Sequence, residues 1–194
     1  MDVTDLDVPE SGLDQALIDQ LLHLHTAGKY QSAIDRAQSL LELYPNSYEL
    51  WQILAYSSLK IQKLDQAIIA YKMVVTLNPG NAVDLNSLGV AFKEKGDINS
   101  AISSYLAAID IDPEYTYGHY NLGVALKEQG KLPEATEAFS KAISLGPDHY
   151  IQSMKLHLQA QMCDWSHFEH DKVPLTELGI SQEFITPFEA LSLE

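Results

Sequence analysis

The chain is short of cysteine, of basic side chains and of long apolar runs, and each shortage closes off a class of protein. A single cysteine, Cys163, leaves no internal disulfide to form and fits a reducing compartment. Twelve Lys and Arg face 27 Asp and Glu, giving a formal net charge of −15. Such a surface repels phosphate backbones and anionic lipid, so neither nucleic acid nor a membrane is an expected partner. Protein or peptide ligands, basic or neutral, fit better. No stretch approaches 18 uncharged apolar residues, and the oiliest, AIIAYKMVV, is broken by Lys72. The opening MDVTDLDVPESG holds four acids and no base, the reverse of a targeting peptide, so a cytoplasmic location is expected. The sequence also has no G-x-S-x-G, P-loop, G-x-G-x-x-G or H-E-x-x-H motif. No catalytic residue, metal or cofactor is therefore expected within residues 1–194.

What is present is a period. Prolines stand at Pro45, Pro79, Pro113 and Pro147, and alanines at Ala33, Ala67, Ala101 and Ala135, each 34 residues apart. With proline at roughly 5% of positions, three further prolines in register have odds on the order of 10⁻⁴. Gly28, Gly96 and Gly130 share the period, with Gln62 as the exception. Gly89 and Gly123 share it too, with Ala55 in the second unit and Leu21 in the first. Aromatics recur at Tyr71, Tyr105 and Phe139, where the first unit has Ala37. Within each unit the apolar residues follow a helical spacing, as in Ile98, Ala101, Ile102, Tyr105 and Ile109. Each unit thus reads as two helices joined at the glycine, which can take the positive φ that ends a helix.

The third unit spells L-x-x-L-G-x-x-F…A-x-x-x-Y…P from Leu85 to Pro113, and Trp51 adds the tryptophan in the second. Over residues 14–147 the chain resembles the tetratricopeptide-repeat (TPR) family. The resemblance implies an all-α fold: a right-handed TPR superhelix (α-solenoid) of four helix–turn–helix repeats, 14–47, 48–81, 82–115 and 116–149. Helices are expected at 15–27/30–43, 48–61/64–77, 82–95/98–111 and 116–129/132–145. An acidic segment, 1–13, precedes the repeats. YIQSMKLHLQAQM (150–162) reads as a capping helix, within 148–163, with His157 where the small residue belongs. An irregular tail, 164–194, follows. Leu21 and Ala37 mark the first unit as a degenerate, terminal one.

The resemblance further implies a concave groove lined by the first helix of each pair, which would hold an extended peptide. Its candidate residues are Ile53, Tyr56, Asn86, Val90, Lys93, Tyr120, Asn121, Val124 and Lys127, flanked by Ile18, Asp19, Leu22, Gln52 and Ser87. Asn121 can both donate to and accept from a peptide backbone. Lys93 and Lys127 hold equivalent places one unit apart, but too few bases accompany them for a clamp on an acidic tail.

After residue 147 the period stops. His157, Cys163, His167 and His170 could in principle gather around zinc, but lack the paired short spacings of structural zinc sites. The run HLQAQMCDWSHFEHD (157–171), followed by ITPFEALSLE (185–194), resembles the junction between TPR arm and catalytic region in protein O-GlcNAc transferases and related O-fucosyltransferases. That likeness implies packing roles for Cys163 and Trp165, and an alternative function as the substrate-selecting TPR region of a glycosyltransferase. The catalytic residues of that family would lie beyond Glu194. A protein-binding scaffold is the first reading.

Overall fold

The computed structural model describes residues 14–146 and 148–162. Among these there are nine α-helices and no strand, so the protein is all-α. The chain forms two compact units, divided between Pro113 and Glu114.

The first unit holds α1 (Gln15–Thr26), α2 (Tyr30–Leu41), α3 (Tyr48–Lys60), α4 (Leu64–Leu77), α5 (Ala82–Glu94) and α6 (Ile98–Ile111). The second holds α7 (Thr116–Glu128), α8 (Leu132–Leu145) and α9 (His149–Gln161). Short polar side chains start several of these helices by accepting first-turn N–H groups that have no partner inside the helix. Asp14, Ser47, Asn81 and Asp97 do this in the first unit, and Asp148 in the second.

The turn inside each pair repeats one geometry. The N–H donors of Lys29, Lys63, Asp97 and Lys131 reach the carbonyls of Leu24, Ser58, Phe92 and Leu126, five residues back, at 2.9–3.0 Å. This is a Schellman closure, and it needs a residue with positive φ. Gly28, Gly96 and Gly130 supply it at φ 73°, 85° and 77°. Gln62, the exception to the glycine register, is forced into the same conformation at φ 59°. The fold imposes the turn even where the residue resists it.

Close approach of paired helices explains the small residues. Ala33, Ala67, Ala101 and Ala135 are fully buried. A Cβ on Gly123 would come within 2.7 Å of the Phe139 ring, and one on Gly89 within 2.5 Å of Tyr105. The second pair has Ala55 with Tyr71, and the first has Leu21 with Ala37, all buried. In the first pair the volumes are exchanged, with the large residue on the first helix and the small one on the second. Leu21 and Ala37 depart from the pattern of the other units, yet both side chains are buried.

α9 packs on α8, with Ile151 and Leu158 in one apolar cluster with Phe139 and Ala142. Its buried residues Ile151, Lys155 and Leu158 lie 33 residues after Gly118, Leu122 and Ala125, one short of the repeat period. His157 is consequently not at the small-residue position. It is exposed, and its Nε2 lies 3.0 Å from Gln161 Nε2.

Candidate functional site

The sequence-derived groove residues of the first unit divide sharply. Ile53 is 4% exposed and sits in the apolar core, so it offers nothing to a ligand. Asn86 is also buried. Gln52 is committed to a neighbour: its amide donates to the Tyr48 hydroxyl at 2.8 Å and to Asp84 at 3.1 Å. Tyr56 is half-buried, its ring edge-on to Tyr71 at 5.6 Å. Val90 and Lys93 are half-buried, and Lys93 Nζ lies 3.8 Å from Glu94. On α1, Ile18 packs against the core, Asp19 is exposed and accepts from Gln15, and Leu22 is exposed. Ser87 donates to the Val83 carbonyl within its own helix. Ile53 and Gln52 are thus corrections to the expected groove, because helical spacing fixes a face but not how deeply a neighbour covers it.

A polar cluster that the sequence reading missed ties α3 to α5. Asp84, 1% exposed, accepts from the Tyr48 hydroxyl at 2.5 Å and from Gln52. Asn81 donates to the Tyr48 oxygen at 3.2 Å. Burial, with the Asp84 bond next, pushes the Tyr48 phenol above its ordinary pKa. The only hint in the sequence is an acid at Asp84 where the other repeats have Ala16, Leu50 and Gly118. With its hydrogen-bonding groups answered inside the protein, the cluster reads as a structural tie.

The second unit carries a surface cavity of its own. At the start of α7 and α9, Thr116, Tyr117, Tyr120, Asp148, Tyr150 and Ile151 line a cavity of about 350 Å³. Tyr117 and Tyr150 are 68% and 63% exposed, a large aromatic area to leave in water. Tyr120 is half-buried, its ring 6.0 Å from Phe139, which fixes it as the floor. Burial raises the Tyr120 phenol above its ordinary pKa, and Tyr150 and Asp148 act in the same direction. Asp148 turns one carboxyl oxygen onto the Tyr150 and Ile151 N–H groups, capping α9. Asn121, Val124 and Lys127 follow Tyr120 along α7, all half-buried. Of the expected groove set, Tyr120 alone lines the cavity. Tyr117, Tyr150 and Asp148 were missed, although the tyrosine-rich YTYGHY (115–120) was there to signal them.

Tetratricopeptide-repeat models match residues 19–82 and 116–149, and a TPR-repeat model matches 89–130. The chain carries tetratricopeptide repeats. Solved TPR-like structures agree with that fold. MamA 41-end from Desulfovibrio magneticus RS-1 is 27% identical, with a TM-score of 0.64 over 66% of this chain and 73% of its own. TTC0263, a thermophilic TPR protein in Thermus thermophilus, is 21% identical, with a TM-score of 0.60 over 81% and 87%. The first TPR of Spaghetti (RPAP3), bound to the HSP90 peptide SRMEEVD, is 20% identical, with a TM-score of 0.58 over 60% and 93%. Among curated proteins none matches the chain.

TPR arrays present helix faces to protein and peptide partners, which places this chain among interaction scaffolds. None of these matches bears on the transferase-like run, most of which, from Cys163 onward, lies outside the described residues together with His167 and His170. Among the described residues no helix is long and apolar enough to cross a membrane.

Proposed function

We propose that the protein is a scaffold that binds an extended peptide on the first-helix face of its repeats, with the tyrosine-lined cavity of the second unit as the principal anchor. The observation that carries this reading is the exposure of Tyr117 and Tyr150 around a concavity floored by Tyr120. Rigid aromatics bury much area at little cost in side-chain entropy, and so dominate binding energy where they line pockets. Asn121, Val124 and Lys127 extend the strip along α7, while Tyr56, Val90 and Lys93 offer a second strip within the first unit. The two lysines contribute in a salt-dependent way. A TPR neighbour caught with a peptide in place supports the class of ligand.

The test is a peptide-library selection against the wild type and the Tyr117→Ala/Tyr150→Ala variant. Both side chains are largely solvent-exposed, so the fold should survive, as circular dichroism would verify. Selected peptides should lose at least about tenfold in affinity for the variant. Unchanged binding would remove the cavity from the site. The transferase-arm reading stays as the alternative, carried by the sequence of 157–171 and 185–194. A reading frame that closes at Glu194 would eliminate it.

A further inference from the structure

Resting on the peptide-binding reading, we infer that the cavity between α7 and α9 is a subsite for one cationic side chain, arginine or lysine, of the bound peptide. Its size is the first reason. About 350 Å³ lies at the small end of ligand pockets, room for a single long side chain rather than a folded element.

Its walls are the second reason. Tyr117, Tyr120 and Tyr150 come from two helices and border one space. The face of an aromatic ring is the negative end of its quadrupole, so a cation held over it is attracted. The aliphatic stem of Arg or Lys would lie against Ile151 and the rings, with its charged head toward Asp148.

The third reason is charge. Two helix N-termini, those of α7 and α9, open beside the cavity, and each carries roughly half a positive charge. Alone they would favour an anion. Asp148 brings a full carboxylate to the same place, with one oxygen already on the α9 N–H groups. That offsets the two half-charges. Among the described residues no Lys or Arg lines the cavity. What is left to decide the sign of the ligand is the three tyrosine rings that border it and the field of a chain with net charge −15. Both favour a cation.

The experiment uses the full chain and three capped pentapeptides, Gly-Gly-X-Gly-Gly, with X as arginine, citrulline or glutamate. Citrulline keeps the shape of arginine and loses the charge. Binding is read by amide chemical shifts in ¹⁵N-labelled protein, which reports millimolar affinities residue by residue. Arginine should shift Tyr117, Tyr120, Tyr150 and Gly146, which also lines the cavity, bind about two- to fivefold more tightly than citrulline, and weaken with added salt. Glutamate should bind least.

Asp148→Asn preserves the helix cap, because Asn caps as well as Asp, and removes only the charge. It should bring arginine down toward citrulline and leave citrulline unchanged. Tyr150→Leu keeps an apolar wall without the ring face and should narrow the same ratio. Equal binding of arginine and citrulline, tighter binding of glutamate, or shifts confined to other residues would each overturn the inference. These failures differ from failure of the peptide reading. If library peptides bind through Tyr117 and Tyr150 but carry no base at the subsite, the scaffold stands and the cation specificity falls. If library binding ignores both tyrosines, the anchor reading itself falls.

Discussion

The exchange of volumes at the helix joint can be transplanted. Gly123→Leu places a side chain where even a Cβ would stand 2.7 Å from the Phe139 ring, well inside contact distance. Overpacking of this kind costs about 1–3 kcal/mol, offset by up to about 1 kcal/mol from removing a glycine inside a helix. Phe139→Ala removes a fully buried ring that has no polar atom, so its cost of about 3–5 kcal/mol is packing alone. Together the two changes place Leu and Ala where α1 and α2 carry Leu21 and Ala37, a pair whose summed volume is close to that of Gly with Phe. The double variant should therefore be about 2–3 kcal/mol more stable than the sum of the single effects. Urea unfolding followed by far-UV circular dichroism measures all four proteins. Their m-values must agree, because repeat arrays can lose two-state behaviour. Additive effects, or a double variant worse than the sum, would show that the two sites do not share one joint and refute the reasoning.

Gln62→Gly should raise stability by about 0.5–1 kcal/mol, since left-handed backbone costs a non-glycine residue about 1–2 kcal/mol and glycine gives back about 0.5–1 through unfolded-state entropy; a lower melting temperature would contradict it. Ala101→Leu should cost about 1–3 kcal/mol in thermal unfolding, because Ala101 is fully enclosed between α5 and α6. Asp84→Ala should cost about 1–3 kcal/mol by leaving the Tyr48 and Gln52 donors without their acceptor, with Asp84→Asn milder in the same urea titration. Burial raises the phenol pKa of both Tyr48 and Tyr71 above the ordinary 10.0. The folded state then holds these protons more tightly than the unfolded chain, so stability is full below pH 10 and falls as pH rises above it. Tyr71→Phe should flatten that decline in pH-dependent unfolding.

The sequence alone determined the helix pairs and their turns, because both rest on short-range physics. Apolar side chains three and four residues apart make one helix face, and Gly28, Gly96 and Gly130 mark where the backbone must turn left-handed. Most helix ends fall where the sequence puts them, and the others move by one or two residues, as in α2, which closes at Leu41. Tertiary structure decided what depends on residues meeting across helices. Leu21 and Ala37 look like two defects in the sequence, and only the structure shows both side chains buried. Gln52 and Asp84 are 32 residues apart, and only the fold brings Gln52, a groove candidate, onto the buried Asp84. The cavity depends in the same way on Tyr150 arriving one residue short of the period, on the helix that follows the fourth repeat. Periodicity says which way a side chain points along its own helix. How much of it stays in water is set by the neighbour, and binding sites are made of that difference.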